Sequence, residues 1–441
     1  MNKTFKKSLV ALVSGLMLTA CGANSGSGNS SEQTKSSDNQ SNKPVEITFW
    51  HAMNGPHQEA LTELTKEFNE SQNKYHVTEQ NQGSYADLTK KVMAAGVSKD
   101  LPTMSQATQS NIPDWTKNQL LAPLDDILKG DDGFTQEELD DIYPGFMQSV
   151  EYKGKTMAMP FSKSVRVMFV NDDILKEYGV DVPKTWDDVK ALGEKMKAKG
   201  DKRYAMGLEK TIDMELETMA RQNGADWIKK DLSNVDFASD KALEPLKFIK
   251  DGIDAGWART AGEDGYMSGP FGRGEVALYI GSSAGLAHIT PTAKENNVNW
   301  SAQELPVYNK GEKMTLLAGN DLAVFKSASD EQKKGAVAFM HFLLKPENTA
   351  KWATKTGYVP VNRKGVAEKS YQDYLKETPQ AEAATKENEY ATSQAQFVGS
   401  GEYRDNWSKI QDKMLVENQD LKQTMEQFQT DTKKIIEDNN K

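Results

Sequence analysis

The sequence predicts an α/β protein built as two lobes. Three observations lead there. The first ordered stretch alternates strand and helix patterns as β-α-β-α-β, which implies a parallel sheet wrapped by helices. About 400 of the 441 residues follow a polar N-terminal tract, more than one ordinary domain holds. Hydrophobic residues make up 37% and charged residues 27%, the balance of a globule with a core. Past the N-terminal segment no run approaches the roughly 18 apolar residues that a membrane-spanning helix needs.

The elements follow in order. Val45-Glu46-Ile47-Thr48-Phe49 alternates with period two and reads as a strand. The run 57–72 reads as a helix with Leu61, Leu64 and Phe68 on one face. Residues 74–80 read as a second strand, 86–98 as a second amphipathic helix, and PTMSQA as a further short extended run. In TWDDVKALGEKMKAKG, Thr185 is the expected N-cap and Gly200 the stop. EVALYI (275–280) and DLAVF (321–325) read as strands. The run 331–344 reads as a helix with Ala336, Phe339, Met340 and Leu343 turned inward, and the last 35 residues are polar and helical. A sheet of this kind binds ligands beyond the carboxyl ends of its strands, in the loops.

Upstream lies a different kind of segment. Lys3, Lys6 and Lys7 precede an apolar run from Leu9 to Ala20. That run is too short to span a bilayer and suits an export signal. It closes on Leu18-Thr19-Ala20-Cys21, which resembles the lipobox of bacterial lipoproteins and implies a diacylglycerol on Cys21. An ordinary secretory signal with a stray cysteine is the alternative. Residues 1–20 are therefore expected to be a lipoprotein signal peptide. Residues 21–44, rich in Ser, Asn, Gly, Gln and Lys, are expected to be a disordered tether on the extracytoplasmic face of the cell membrane. Cys21 is the only cysteine, so neither disulfides nor cysteine-bound metal are expected to hold the fold.

Charge and motifs exclude several functions. A net charge of −10 argues against nucleic acid, which needs a basic face. His51 and His57 lack a third ligand at a zinc spacing. No H-E-x-x-H or P-loop occurs. GDDGFTQEELDD misses the calcium-loop pattern and reads as a solvated helix start. No cofactor, metal or catalytic residue is expected.

Three segments together resemble one family: WHAMNGP after the first strand, FGRGEVALYIGSSAGLAHI at 271–289, and FLLKPENTAKWATKTGYVPV at 342–361. With PKTWDDV, they stand in the order found in extracellular solute-binding proteins of carbohydrate-type ABC importers. The resemblance runs from about Val45 nearly to the C-terminus. It implies a type II periplasmic-binding-protein-like fold with a hinge and an interlobe ligand cleft. Lobe 1 is expected to combine 45–160 with 304–355, and lobe 2 to combine 161–303 with 356–441. Crossings are expected near 160–166, near 298–306 and after about 355. The implied protein is a monomer that delivers its ligand to a transmembrane permease and turns over nothing.

Within that family, FWHAMNGP, GSYADL, PFSKS, GSSAGL and TKTGYVPV are similar to the glycerol-3-phosphate-binding members. That resemblance places ligand contacts at Tyr85, Gln109, Ser164, Ser282, Gly319 and Tyr358. Two positions depart from the pattern. Gln109 stands where the family has a carboxylate, and Ser408 where it has an arginine. Arg404, one helical turn earlier, is the expected substitute. The favoured ligand is glycerol-3-phosphate or a glycerophosphodiester. A neutral sugar or oligosaccharide is the alternative within the class, and a secreted glycan-acting lipoprotein enzyme the alternative outside it.

The residues carry some of this alone. A Gly-Ser-Ser turn after a strand ending at Ile280, with a helix starting near Ala284, would offer N–H groups and hydroxyls to an anion or polyol. A plain capped turn is the other reading. Tyr358, held between Gly357 and Val359-Pro360, could bond a ligand oxygen or anchor its loop. A buried phosphate dianion needs cationic compensation, for which Lys163, Arg166 and Arg404 are candidates. Of the eight tryptophans, Trp50, Trp186 and Trp352 read as packing residues, while Trp227 and Trp257 could face the cleft.

Overall fold

The computed structural model describes residues 43–308, 312–388 and 390–439. The expected signal peptide, Cys21 and all but the last two residues of the expected tether lie outside the described residues.

The chain enters the fold at the strand Val45–His51, in which Ile47, Phe49 and His51 are buried. The helix Gly55–Ser71 buries Leu61, Leu64 and Phe68 and returns the chain to the parallel strand Tyr75–Asn81. A capping box between Ser84 and Asp87 starts the helix Tyr85–Ser98 by satisfying its first N–H groups. That helix leads to Met104–Ala107, parallel to the first strand on its other side. The predicted β-α-β-α-β unit is therefore present.

Two long strands carry the architecture. Met159–Asn171 is buried along all of its length. Its first half pairs antiparallel with Thr315–Val324, from Met159↔Leu322 to Val165↔Leu317. Its second half pairs antiparallel with Val276–Ser282, from Arg166↔Ser282 to Val170↔Leu278. One strand thus belongs to both halves of a ten-stranded sheet. Thr315–Val324 leads on to Met104–Ala107 and the N-terminal unit. Val276–Ser282 leads on to the parallel strands Tyr204–Leu208 and Ala258–Thr260. Trp300–Gln303 pairs with the far end of Met159–Asn171.

The strand Thr315–Val324 begins six residues before the expected DLAVF. Its LAGND stretch looks like a turn in sequence, yet the ladder continues through it with an irregularity at Asn320/Asp321. Gly319 makes this possible. Its φ is +104°, and a Cβ there would stand 1.7 Å from the Ser162 carbonyl oxygen, so only glycine fits. The strand Val276–Ser282 runs two residues past Ile280. A 3₁₀ turn at Ser283–Gly285 then precedes the helix Leu286–Glu295.

Helices cover both faces. Asp330–Leu344, begun by a Ser329/Gln332 capping box, has Ala336, Phe339, Met340 and Leu343 fully buried. Each of the larger three contributes about 1.5–3 kcal/mol by leaving water. Thr185 caps Trp186–Ala198 as expected, and Gly200 lies beyond its end with φ +72°. The C-terminal helices Ser400–Leu415 and Leu421–Asn439 pack on the second half of the sheet. There Trp407 and Phe428 meet Trp227 and Phe237.

Trp227 and Trp257 are core residues, 0% and 3% exposed, which settles against a cleft-facing role. Trp257 is wedged between Gly193 and Gly252, where a Cβ at either position would approach its ring to 2.6 Å. GDDGFTQEELDD ends in the short helix Gln136–Asp141, capped by Thr135 and Glu138, as its sequence predicts.

Candidate ligand cleft

The two long strands bring the predicted residues to the line where the halves of the sheet meet. Ser164 lies opposite Ala318, and Gly319 opposite Lys163. Ser282 Oγ donates to Ser164 Oγ (3.0 Å) and accepts from Ala284 N (3.2 Å). The serine turn therefore spends its hydroxyls partly on tying the two halves together. Gly357, at φ +73°, ends the helix Pro346–Thr356. It turns the chain so that Val359 N bonds Lys163 O at 2.9 Å. Tyr358 is thereby held beside the crossing strand, stacked on Trp352 at 5.9 Å and packed against His57 at 5.2 Å.

Tyr85, at the start of its helix, completes this corner. Its hydroxyl accepts from Asn320 Nδ2 at 2.8 Å and lies close enough to Tyr358 for that phenol to add to its cost of ionisation. Burial pushes the Tyr85 hydroxyl far above the usual phenol range and raises that of Tyr358 to about 12. Both are therefore neutral hydrogen-bonding groups at physiological pH. Tyr266, 60% exposed, adds a smaller upward push to both.

Gln109 and Arg404 lie at a second place. Gln109 Nε2 donates to Gln394 O at 2.8 Å, and Arg404 Nη2 reaches Gln394 Oε1 at 3.4 Å. Gln394 in turn donates to Glu217 at 2.8 Å. These side chains line a crevice of about 20 Å³, room for one water-sized group. Arg404 is half-buried on the helix Ser400–Leu415, whereas Ser408 on the same helix is exposed. The structure thus groups five predicted residues at the crossing strands and two at this rim.

The cationic candidates divide sharply. Lys163 is 3% exposed, paired with Asp321, and donates to Ser149 Oγ at 2.9 Å. Arg166 lies 3.1 Å from Glu215, with Glu209 and Asp213 close by. Burial raises Glu215 to about 7 against the downward pull of Arg166. Lys163 and Arg166 are therefore already compensated, contrary to the expectation that both were available to a phosphate. Arg404 enters no ion pair among the described residues.

A larger groove of about 620 Å³ lies elsewhere, between Trp186–Ala198 and Asp240–Asp254. Its aromatic floor of Trp186 and Trp257 is nearly inaccessible and its rim mixes lysines with carboxylates, so it is a packing seam. Among the described residues no group of three or more His, Cys, Asp or Glu could hold a metal, and no helix is long and apolar enough to cross a membrane.

The model of the family described as "Bacterial extracellular solute-binding protein" matches residues 63–383. The chain belongs to the bacterial extracellular solute-binding proteins. It is 27% identical over 400 residues to the sn-glycerol-3-phosphate-binding periplasmic protein UgpB of Brucella abortus, covering 87% of this chain and 91% of the relative. To the protein of the same name from Rhizobium meliloti it is 29% identical over 353 residues, covering 77% and 80%. Among solved structures it superposes on UgpB of Mycobacterium tuberculosis in complex with glycerophosphocholine with a TM-score of 0.79 at 22% identity, covering 90% and 98%. The GacH receptor of Streptomyces glaucescens, solved unliganded and with acarbose, gives 0.79 at 18%, covering 90% and 100%. The fold is accordingly the two-lobe α/β fold of these binding proteins.

For this solute-binding protein, sequence reasoning missed Asn320 and Tyr266. Asn320 adjoins Gly319 in LAGND, just ahead of the expected strand DLAVF, and no motif singles it out. Tyr266 sits in an irregular loop between Gly265 and Met267, where no periodicity marks it. The carboxylates Glu209 and Glu215, which take up Arg166, lie more than forty residues from it and carry no local signal.

Proposed function

We propose that this protein is the substrate-binding lipoprotein of an ABC importer. It captures glycerol-3-phosphate or a glycerophosphodiester between its lobes and hands it to a membrane permease. The ligand contacts are Tyr85, Gln109, Ser164, Ser282, Gly319, Tyr358 and Arg404. The observation that carries the reading is Arg404. It is a guanidinium without an ion-pair partner among the described residues, next to Gln109 and Gln394, in a chain whose relatives are named for glycerol-3-phosphate. A guanidinium suits a phosphate because its forked N–H groups match two oxygens. The crevice is too small for a solute as it stands, so entry requires the lobes to part and close again, a hinge motion. Lobe 1 is taken as 45–160 with 304–355, and lobe 2 as 161–303 with 356–441. Cys21 carries the lipid that keeps the protein, a monomer, at the outer face of the membrane. The protein binds its solute without altering it.

A neutral sugar is the second reading. It is favoured by Gln109 in place of a carboxylate and by the compensation already present at Lys163 and Arg166. A thermal-shift panel of sn-glycerol-3-phosphate, glycerophosphocholine and maltose separates the two. At about 100 times its Kd, a true ligand adds about 2.7 kcal/mol to stability. Phosphate-bearing solutes alone are expected to raise the Tm; a rise with maltose alone overturns the phosphate reading.

A further inference from the structure

Glu217 lines the crevice of Gln109 and Arg404 and has no part in the site described so far. It stands on the helix Asp213–Gln222 and is 3% exposed. A carboxylate held this far from water needs donors, and Glu217 has two. Gln394 Nε2 donates to its Oε2 at 2.8 Å. Arg221, one turn further along the helix, donates from Nη1 to its Oε1 at 3.3 Å. Burial pushes the Glu217 carboxyl above its ordinary value, and the Arg221 charge pulls it back.

An ionised carboxylate only accepts and a guanidinium only donates. Between them the Gln394 amide has one possible orientation: its N–H2 faces Glu217, and its Oε1 faces Arg404 Nη2 at 3.4 Å. Glu217 therefore stands one amide away from the guanidinium proposed to meet the phosphate. Arg404 and Arg221 bring two positive charges to this place and Glu217 one negative, while Gln109 and Gln394 are neutral. Lys230 beside Arg221 and Asp213 near Glu217 add one further charge of each sign. The balance is a single positive charge. A phosphodiester carries one negative charge, whereas a phosphomonoester, with its second pKa near 6, carries close to two at pH 7. A diester leaves the closed crevice neutral. A monoester leaves an uncompensated negative charge close to a buried carboxylate, which is costly.

We infer that Glu217 is a specificity-determining residue that turns the site toward phosphodiesters and against phosphomonoesters. It acts by its charge, across the Gln394 amide, without touching the solute. The inference rests on the proposed phosphate contact at Arg404.

The test is titration calorimetry of the full chain at pH 8 with two probes, sn-glycerol-3-phosphate and glycerophosphoglycerol. The second is a diester without a cationic group, so attraction of a cation to Glu217 plays no part in the comparison. The wild type is expected to bind the diester about tenfold more tightly than the monoester. Glu217→Gln keeps the size and an acceptor for Gln394 but removes the charge. It is expected to shrink the preference to less than about twofold, chiefly by tighter binding of the monoester. Arg221→Gln does the opposite. It removes the counter-charge at a more exposed position and is expected to widen the preference about threefold. It carries the test should Glu217→Gln lower the Tm too far. Equal affinity of the wild type for the two esters overturns the inference. So does Glu217→Gln weakening both esters alike, which marks a merely structural residue, and so does an unchanged ratio in Arg221→Gln. Binding of maltose with neither ester contradicts the phosphate reading itself, whereas equal binding of the two esters contradicts this inference alone.

Discussion

The corner around Tyr85 and Tyr358 and the rim around Gln109 and Arg404 satisfy their polar atoms in different ways. At the corner the groups come from β-ladder positions and helix ends, are fully or largely buried, and bond mostly to one another. At the rim they join segments far apart in the chain, on either side of the proposed lobe boundary. Gln109 and Ser149 on one side meet Gln394 and Gln396 on the other, through bonds of 2.8 Å and 2.6 Å. Asp114 crosses the same gap to accept from Gly399 N at 2.6 Å and Gly401 N at 3.0 Å. It caps the helix Ser400–Leu415, whose own N-cap has no side-chain bond. The difference teaches a division of labour. The corner is a template fixed by the fold, whereas, on the proposed hinge motion, the rim is made of contacts that break when the lobes part.

The sharpest break of that comparison is at Lys163. Lys163→Met leaves Asp321 buried and unpaired and is expected to cost about 3–5 kcal/mol of unfolding free energy. Adding Asp321→Leu should recover much of the loss. Denaturant titration reads both, and a single variant as stable as the wild type would mean that the corner is not the fixed element.

Apart from both lies Glu387, fully buried, which accepts from Leu305 N at 2.6 Å on the segment leading to Thr315–Val324. Burial raises its carboxyl to about 8. A raised carboxyl contributes stability that is complete below the unfolded-state pKa near 4.5 and is lost as pH rises through 8. Compared with Glu387→Gln, the wild type should lose on the order of 2 kcal/mol between pH 6 and 8. Parallel pH profiles of the two proteins would remove the assignment.

At the rim, Arg404→Ala should weaken binding of a phosphate-bearing solute about thirtyfold, the loss of a charge-assisted bond of about 2 kcal/mol. Unfolding free energy should hardly change, since Arg404 holds only one long contact at 3.4 Å. Equal affinity in calorimetry would take Arg404 out of the site. The smallest effect is expected from Asp114→Ala. Loss of the cap should cost about 1 kcal/mol and raise the open population, seen as a larger radius of gyration in solution scattering without ligand. An unchanged radius would deny the rim its role as a clasp.

Much of this was legible in sequence where the signal is local. The inward face at Leu61, Leu64 and Phe68 followed from helical spacing, and Thr185 from its capping pattern. The placing of Tyr85, Ser164, Ser282, Gly319 and Tyr358 in one region came from family markers and is physically explained by the ladder through Ser164 and Gly319. What failed depended on partners distant in sequence. Arg166 reads as a free cation until Glu215 is folded against it, and Lys163 until Asp321 is. Trp227 and Trp257 read as loop residues because the elements around them are short or irregular, and only the packed glycines and C-terminal helices show them as core. Asn320 was hidden because the strand Thr315–Val324 starts six residues ahead of the DLAVF run that the sequence marks.

Equilibrium dialysis of the protein against labelled sn-glycerol-3-phosphate, followed by recovery of the bound molecule and its mass, tests the central claim most directly. The account predicts uptake of one molecule per chain, abolished or strongly weakened in Arg404→Ala, and recovery of the solute intact. No uptake of any phosphate ester while a sugar is retained, or recovery of a chemically altered product, would contradict it.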